Sequence, residues 1–303
     1  MQSVERLDEV LSVVGGLILQ YLFGPVVGLV ERLFPKWWEF LQRPRPLTTT
    51  TGMDALGLER FLYESAFWIV LFSTLFLAVP RLSKALAPKW YDSLQKGHRR
   101  DLPSYAVCMV HHFYLVPRSW YRIWIDYNLP ASMWAMRDYG PLEAIVSPFC
   151  IGYLVADSIC YAIPNFSVEY IIHHVLTISI VLAGVNSNNY IGRFIPHLLV
   201  SDTTQLLYNT SWLLKRVGGF SESSPVCMTL ELLFAVIFPC VRIFVMPMAF
   251  LCISLNGANK DFGLARFVFL PLCLLQYYWF SLICRRLVGI LSGSKPPSKK
   301  KSE

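Results

Sequence analysis

The fold class this sequence predicts is an all-α polytopic membrane protein, a bundle of about seven transmembrane helices around a polar cavity on the cytosolic side. Three observations predict it. The chain is 54% hydrophobic and only 16% charged, whereas a soluble domain carries about a quarter charged residues; its mean hydropathy is +0.45. Several windows of roughly 20 residues are nearly free of charge, the length that crosses a hydrocarbon core ~30 Å thick. A small set of ionisable residues nevertheless lies inside those windows, where such groups are costly and face the bundle interior.

Taken in order, the apolar windows are 61–80, 105–125, 142–163, 168–187, 194–214, 226–255 and 264–291. An earlier run, 10–30, contains Gly15, Gly16, Gly24 and Pro25, and reads either as an eighth span or as a bent interfacial segment. It lacks the basic n-region of a signal peptide, since Glu5, Asp8 and Glu9 precede it. The chain therefore divides into an N-terminal segment (1–60), a transmembrane domain (61–291) and a basic tail (292–303), with no internal repeat. The eight cysteines all fall inside predicted spans without metal spacing or loop partners, and read as small apolar packing residues.

Charge sets the orientation. Arg81, Lys84, Lys89, Lys96, Arg99 and Arg100 crowd the loop 81–104, and Lys295, Lys299, Lys300 and Lys301 the tail. With seven crossings these clusters share one face with Lys215 and Arg216, and an excess of Lys and Arg marks the cytosolic side. Beside a bilayer such clusters orient the chain and touch anionic lipid. Nucleic acid would need aromatic residues on a folded basic surface, and no such surface is apparent, so nucleic acid is not an expected partner. The last four residues, Lys300-Lys301-Ser302-Glu303, fit a dilysine address read by coat machinery, which predicts residence in the endoplasmic reticulum.

The buried polar residues are Asp157, Glu169, His173, His174, Asp202, Glu231, Arg242, His111 and His112. Glu169, His173 and Thr177 recur at i, i+4 and i+8, close to one helical face; His174 lies about 100° around from His173. Histidine can act as base, acid or nucleophile near neutral pH, and a carboxylate on the other ring nitrogen fixes its tautomer. No G-x-S-x-G elbow occurs, and the six histidines form plain pairs without the boxes of a di-iron site, so no metal or bound cofactor is expected. Depth adds a prediction. His111 lies six residues inside Tyr105, Asp157 six before Ile163, His173 five past Val168 and Glu231 five past Val226. At 1.5 Å per residue, all four sit about 8–9 Å below one membrane face. They predict one shallow chamber, with His173 or His174 within hydrogen-bond reach of Asp157 or His111, and Asp202 paired with Arg242 at its floor.

Three strings in order, "GYLVADSICY" (152–161), "EYIIHHVLT" (169–177) and "GRFIPHLLVSDTTQLLYNTSWLL" (192–214), resemble the TLC-domain family of ceramide synthases, translocation-associated membrane proteins and a ceroid-lipofuscinosis cargo receptor. The resemblance covers about residues 80–290 and implies lipid metabolism in the endoplasmic reticulum. It implies that His173 and His174 match the histidine pair of ceramide synthases, and Asp202 the second acidic position of their downstream stretch. The first acidic position of that stretch is Leu199 here, and its histidine neighbour is Leu198. Asp157, and Asp202 with Asn209 and Trp212, match a looser pattern of the smaller TLC-domain proteins. The activity implied is transfer of an acyl group from acyl-CoA to an amine-bearing lipid, a sphingolipid reaction. In it His173 or His174 attacks the thioester or deprotonates the amine, with Asp202 or Asp157 as orienting carboxylate. Glu169, His111, Thr177 and Glu231 would contact lipid, and the basic 81–104 loop would hold the phosphates of acyl-CoA. Two other functions stay open: a non-catalytic regulator of phospholipid composition and fluidity, and a cargo receptor cycling to the Golgi.

The tail address is testable alone. Replacing both Lys300 and Lys301 by serine should release the protein forward out of the endoplasmic reticulum, as followed by microscopy. Retention of the double variant there would remove the dilysine reading.

Overall fold

The computed structural model describes residues 55–127, 141–186, 195–247 and 263–291, with Arg32 besides. Among the described residues the secondary structure is helical throughout, without a strand. The 10–30 run and the dilysine lie outside them.

Helix α1 (Ala55–Leu86) carries the first apolar window and runs through Pro80 near its end. The short α2 (Pro88–Ser93) begins with proline at its first turn, where the missing N–H costs nothing. The Trp90 indole N–H, on α2, donates to the Val217 carbonyl at 3.0 Å, pinning α2 to a residue far along the chain. Helix α3 (Lys96–Tyr127) comes next. The basic stretch 81–104, expected as a loop, is thus mostly helix: the apolar cores of α1 and α3 extend into polar turns that continue their hydrogen-bond ladders.

Helix α4 (Pro141–Asp157) passes directly into a π-helical turn, Ser158–Ala162. After a reversal in which Phe166 takes a positive φ of 52°, α5 (Val168–Asn186) returns. The window 194–214 is not one uniform helix. It is α6 (Ile195–Leu199), a 3₁₀ turn (Val200–Asp202) and α7 (Thr203–Arg216). Helix α8 (Pro225–Phe238) opens on proline and continues as a second π turn, Pro239–Val245. Pro239 lacks the N–H that would extend the α ladder, a local reason for the change of pitch. Helix α9 (Gly263–Leu291) completes the described chain.

Among the described residues three segments are long and apolar enough to cross a membrane: Glu59–Leu86, Pro225–Val245 and Val268–Arg285; Val146–Ala162 and Val168–Ala183 are apolar but shorter. At most 33% of each long window is buried. Leu77, Leu232, Phe244 and Val288 point outward, each more than half exposed; an apolar surface of this extent is what a bilayer covers. The protein is an all-helical membrane protein.

The core lies where α1, α3 and α4 meet. Phe72 packs edge-on against Phe149 (5.2 Å) and Tyr153 (5.6 Å), and Trp68 against Phe149 (4.8 Å). Edge-to-face pairs of this kind contribute ~0.5–1.5 kcal/mol each beyond their area. The close approach depends on Gly152: a Cβ there would stand 2.2 Å from the Trp68 Cβ and 2.9 Å from its carbonyl carbon. Backbone cannot swing aside as a side-chain tip can. Gly152→Ala should therefore destabilise the fold by more than the ~1–3 kcal/mol of ordinary overpacking, read as a lowered melting temperature in detergent. An unchanged melting temperature would show that α1 and α4 are not pressed together here.

Candidate functional site

The polar stripes of three helices converge. On α3, Ser104, Cys108, His111 and His112 recur at helical spacing; on α4, Tyr153 and Asp157, with Tyr161 one turn on; on α5, Tyr170, His173, His174 and Thr177. Together with Asp202 and Asn209 from the α6–α7 segment, Arg242 from the second π turn and Gln276 from α9, they line one cavity. The space between them, open mouth included, is about 990 Å³. Cys150, Ile180, Val181, Leu198, Leu199 and Leu272 supply apolar walls. Tyr161, part of the lining, donates its hydroxyl hydrogen to Asp101 (3.1 Å), which also accepts from the Arg100 guanidinium (2.8 Å).

His173 and His174 both face the cavity because its axis falls between them. Tyr170, Thr177 and Val181 lie in the same sector of α5, within about 50° of its centre line. Glu169, expected on that face, is about a quarter-turn away by the same count and is exposed. It sits in the first turn of α5, where a carboxylate suits the free N–H groups. Glu231 is likewise outside the cavity. It accepts from Lys215 at 2.7 Å, because a cation within reach on α7 holds it toward α8's outer side.

Two hydrogen-bonded networks occupy the cavity. In the first, Ser104 donates to Asp157 Oδ1 at 3.0 Å, and His174 Nε2 stands 3.5 Å from Asp157 Oδ2. The chamber geometry expected from depth is present for this pair. His174 Nδ1 meets Ser158 Oγ at 3.0 Å, and that hydroxyl donates to the Leu154 carbonyl at 2.7 Å. A hydroxyl has one hydrogen, so Nδ1 is the donor to Ser158. The Nε2–Oδ2 contact then needs a proton from one of its two members, which makes the pair a place to take up or release one.

The second network centres on Asp202. His112 Nε2 lies 3.6 Å from Oδ2 and Arg242 Nη2 3.7 Å from Oδ1. Arg242 Nε donates to Thr204 (2.8 Å) and Nη1 to Gln276 (2.7 Å). On its other nitrogen, Nδ1, His112 meets Cys108 Sγ at 3.1 Å, and Asn209 Nδ2 donates to the same sulfur at 3.1 Å. Cys108, expected as a packing residue, is therefore a member of a polar network. Its signal in the sequence was the four-residue step to His112 inside a polar stripe.

Three of the cavity's side chains carry buried polar atoms without a partner: both ring nitrogens of His111, Nδ1 of His173 and Oγ1 of Thr177. His111 is held between Tyr153 (4.0 Å, stacked) and Phe149 (5.3 Å, stacked). His173 lies edge-on to Trp279 at 5.4 Å. A buried polar atom left unpaired costs ~1–3 kcal/mol, so these atoms mark where a ligand's polar groups would be received. His111, His112 and Asp202 bring ligand atoms within 4.8 Å of one another, the one such trio among the described residues. Arg242 already places a positive charge on that carboxylate. Ser104, Thr204 and Gln276 carry no charge, so the ionisable residues that mark the spans gave no signal for them.

The two ion pairs differ in burial, and the difference predicts their value. Arg242 is 3% exposed and Asp202 15%, whereas Glu231 opposite Lys215 is 44% exposed. Arg242→Met should cost ~3–5 kcal/mol, because it strands a buried carboxylate, and Lys215→Met only ~0–1 kcal/mol. Equal losses in a detergent unfolding titration would contradict this ranking.

Comparison with curated proteins and with solved structures found no match. The family model of the TLC domain matches residues 101–285, from the start of α3 into α9, enclosing every cavity-lining residue named above. The chain belongs to the TLC-domain family.

Proposed function

We propose that this cavity transfers a fatty acyl group from acyl-CoA to an amine-bearing lipid at the endoplasmic reticulum membrane, in a ceramide-synthase-like N-acylation. TLC-domain membership supports a lipid-related function in the membrane. The observation that carries the finer reading is the His174–Asp157 contact at 3.5 Å, facing the same space as the unpartnered Nδ1 of His173. A general base needs a lone pair able to take up a proton beside the acceptor. The Nε2–Oδ2 contact supplies one in a cavity that also has apolar walls for an acyl chain.

In this reading the seven helical segments span the bilayer and the mouth opens to the cytosol. Arg100 and its basic neighbours beside it receive the polyanionic head group. The His174–Asp157 pair, its imidazole held at Nδ1 by Ser158, takes a proton from the acceptor nitrogen into the Nε2–Oδ2 contact. The nitrogen forms a bond to the thioester carbonyl carbon, the carbon–sulfur bond breaks, and the sulfur leaves with a proton as free coenzyme A thiol. The Nδ1–H tautomer of His173 offers a donor to the carbonyl oxygen as charge builds there. No resident cofactor takes part.

A second reading has one observation in its favour. Leu198 and Leu199 line the cavity where the synthase pattern carries a histidine and a carboxylate, which suits a site that binds lipid without reacting with it.

Purified protein supplied with acyl-CoA and sphingoid base, assayed for N-acyl product by mass spectrometry, separates the two. His173→Ala and His174→Ala should each lower product by ~100-fold or more while the melting temperature stays near wild type. Product unchanged in both variants would overturn the assignment of the base. Absence of product from wild type, with lipid that co-purifies in a manner dependent on these residues, would favour the binding reading.

A further inference from the structure

We propose that Cys108 is the covalent acyl acceptor of this cavity, taking the acyl group from the incoming thioester as an S-acyl intermediate before it passes to the amine. The inference rests on the acyl-transfer reading and adds a residue and a step to it.

The geometry is that of an activated nucleophile. Cys108 Sγ lies 3.1 Å from His112 Nδ1, and His112 Nε2 lies 3.6 Å from Asp202 Oδ2. A thiol, an imidazole in hydrogen-bond reach and a third group orienting the imidazole form the signature of nucleophilic catalysis. The residue four positions before His112 on the same helix necessarily shares its face. Asp202 does not move freely, because Arg242 holds its other oxygen at 3.7 Å. Asn209 donates to the sulfur at 3.1 Å, so the sulfur accepts one hydrogen bond and has its own proton to give to His112. A cysteine serving only to fill space among helices needs neither partner.

The same cavity offers a donor for the developing oxyanion. His111, next in sequence to His112, is 1% exposed and has no partner on either ring nitrogen. Its ring is 4.9 Å from that of His112 and stacks on Tyr153 at 4.0 Å. It lines the cavity together with Cys108, and its unpartnered N–H would serve the carbonyl oxygen of a group attached to that sulfur.

The step balances. The Cys108 proton passes to His112 as Sγ bonds the thioester carbonyl carbon. The carbon–sulfur bond to coenzyme A breaks, and His112 returns the proton to the departing sulfur, which leaves as a thiol. One thioester is exchanged for another, with no oxidant or further reactant. The acceptor amine then forms the amide bond as the His174–Asp157 pair takes its proton. Sγ departs from the carbonyl carbon and receives the proton that the amine gave up, so the free thiol is restored.

The test begins with the wild-type protein and acyl-CoA without amine. Intact-mass spectrometry should show one added acyl group, released by neutral hydroxylamine and mapped to Cys108 by fragmentation, with one equivalent of coenzyme A freed. Addition of sphingoid base should discharge it into product. Cys108→Ala should lack the adduct and lose product formation by ~100-fold or more. Cys108→Ser, close in size, should retain the wild-type melting temperature and either fail to react or trap a hydroxylamine-resistant ester. An adduct on His173 or His174, or full product formation by Cys108→Ala, would overturn the inference and leave the acyl-transfer reading standing. An adduct confined to the exposed Cys240 would be adventitious acylation and would also overturn it. Wild-type protein giving neither adduct nor product would overturn both.

Discussion

A guanidinium buried among hydrocarbon must be surrounded by acceptors, and the arrangement of this bundle meets that requirement at Arg242. Its three donor groups reach Asp202, Thr204 and Gln276, so the α6–α7 segment, the α8 extension and α9 are drawn to one point. Thr204 in turn donates to the Ser201 carbonyl at 2.8 Å, and Gln276 to that of Leu272 at 3.4 Å. The network ends in helix backbone and leaves few loose ends. Isolated charges at this depth would be costly; paired and hydrogen-bonded, they act as a register pin between helices.

The charged groups of the cavity stand at departures from α geometry. Asp157 is the last residue before the first π turn, Asp202 ends the 3₁₀ turn, and Arg242 lies inside the second π turn. A change of pitch rotates the downstream residues relative to the upstream ones. One helix can then present apolar residues to lipid over most of its length and a polar residue inward at one level. Pro239 provides a local cause for one of these turns. For the turn after Asp157, the Ser158 hydroxyl bound to the Leu154 carbonyl competes with the ladder in the same place.

The cavity holds two proton-handling centres of similar construction, each an imidazole with a carboxylate on Nε2 and a smaller group on Nδ1. Around His174 these are Asp157 and Ser158; around His112 they are Asp202 and Cys108. They differ in what lies beyond. Asp202 is backed by Arg242, while Asp157 is backed by the neutral Ser104 hydroxyl. A reaction that removes a proton from one partner and delivers one to another has use for both, and both face one space with apolar walls.

The sequence by itself determined that this is an all-helical membrane chain, because hydrocarbon burial needs long charge-free windows, and such windows are visible in any order of packing. It also singled out Asp157, His173, His174, His111 and Asp202, which line one cavity, since an ionisable group in such a window has no apolar reason to be there. Periodicity along one helix could not decide which of them meet. Glu169 and Glu231 satisfied the same depth and spacing as the cavity residues, yet one lies a quarter-turn off its axis and the other is held by Lys215. Cys108, Asn209 and Gln276 are uncharged residue types and took their meaning from partners, on other helices for Asn209–Cys108 and Gln276–Arg242. Side chains from different helices come within hydrogen-bond distance only once the helices are packed and rotated, so the pairing was a property of the tertiary structure alone.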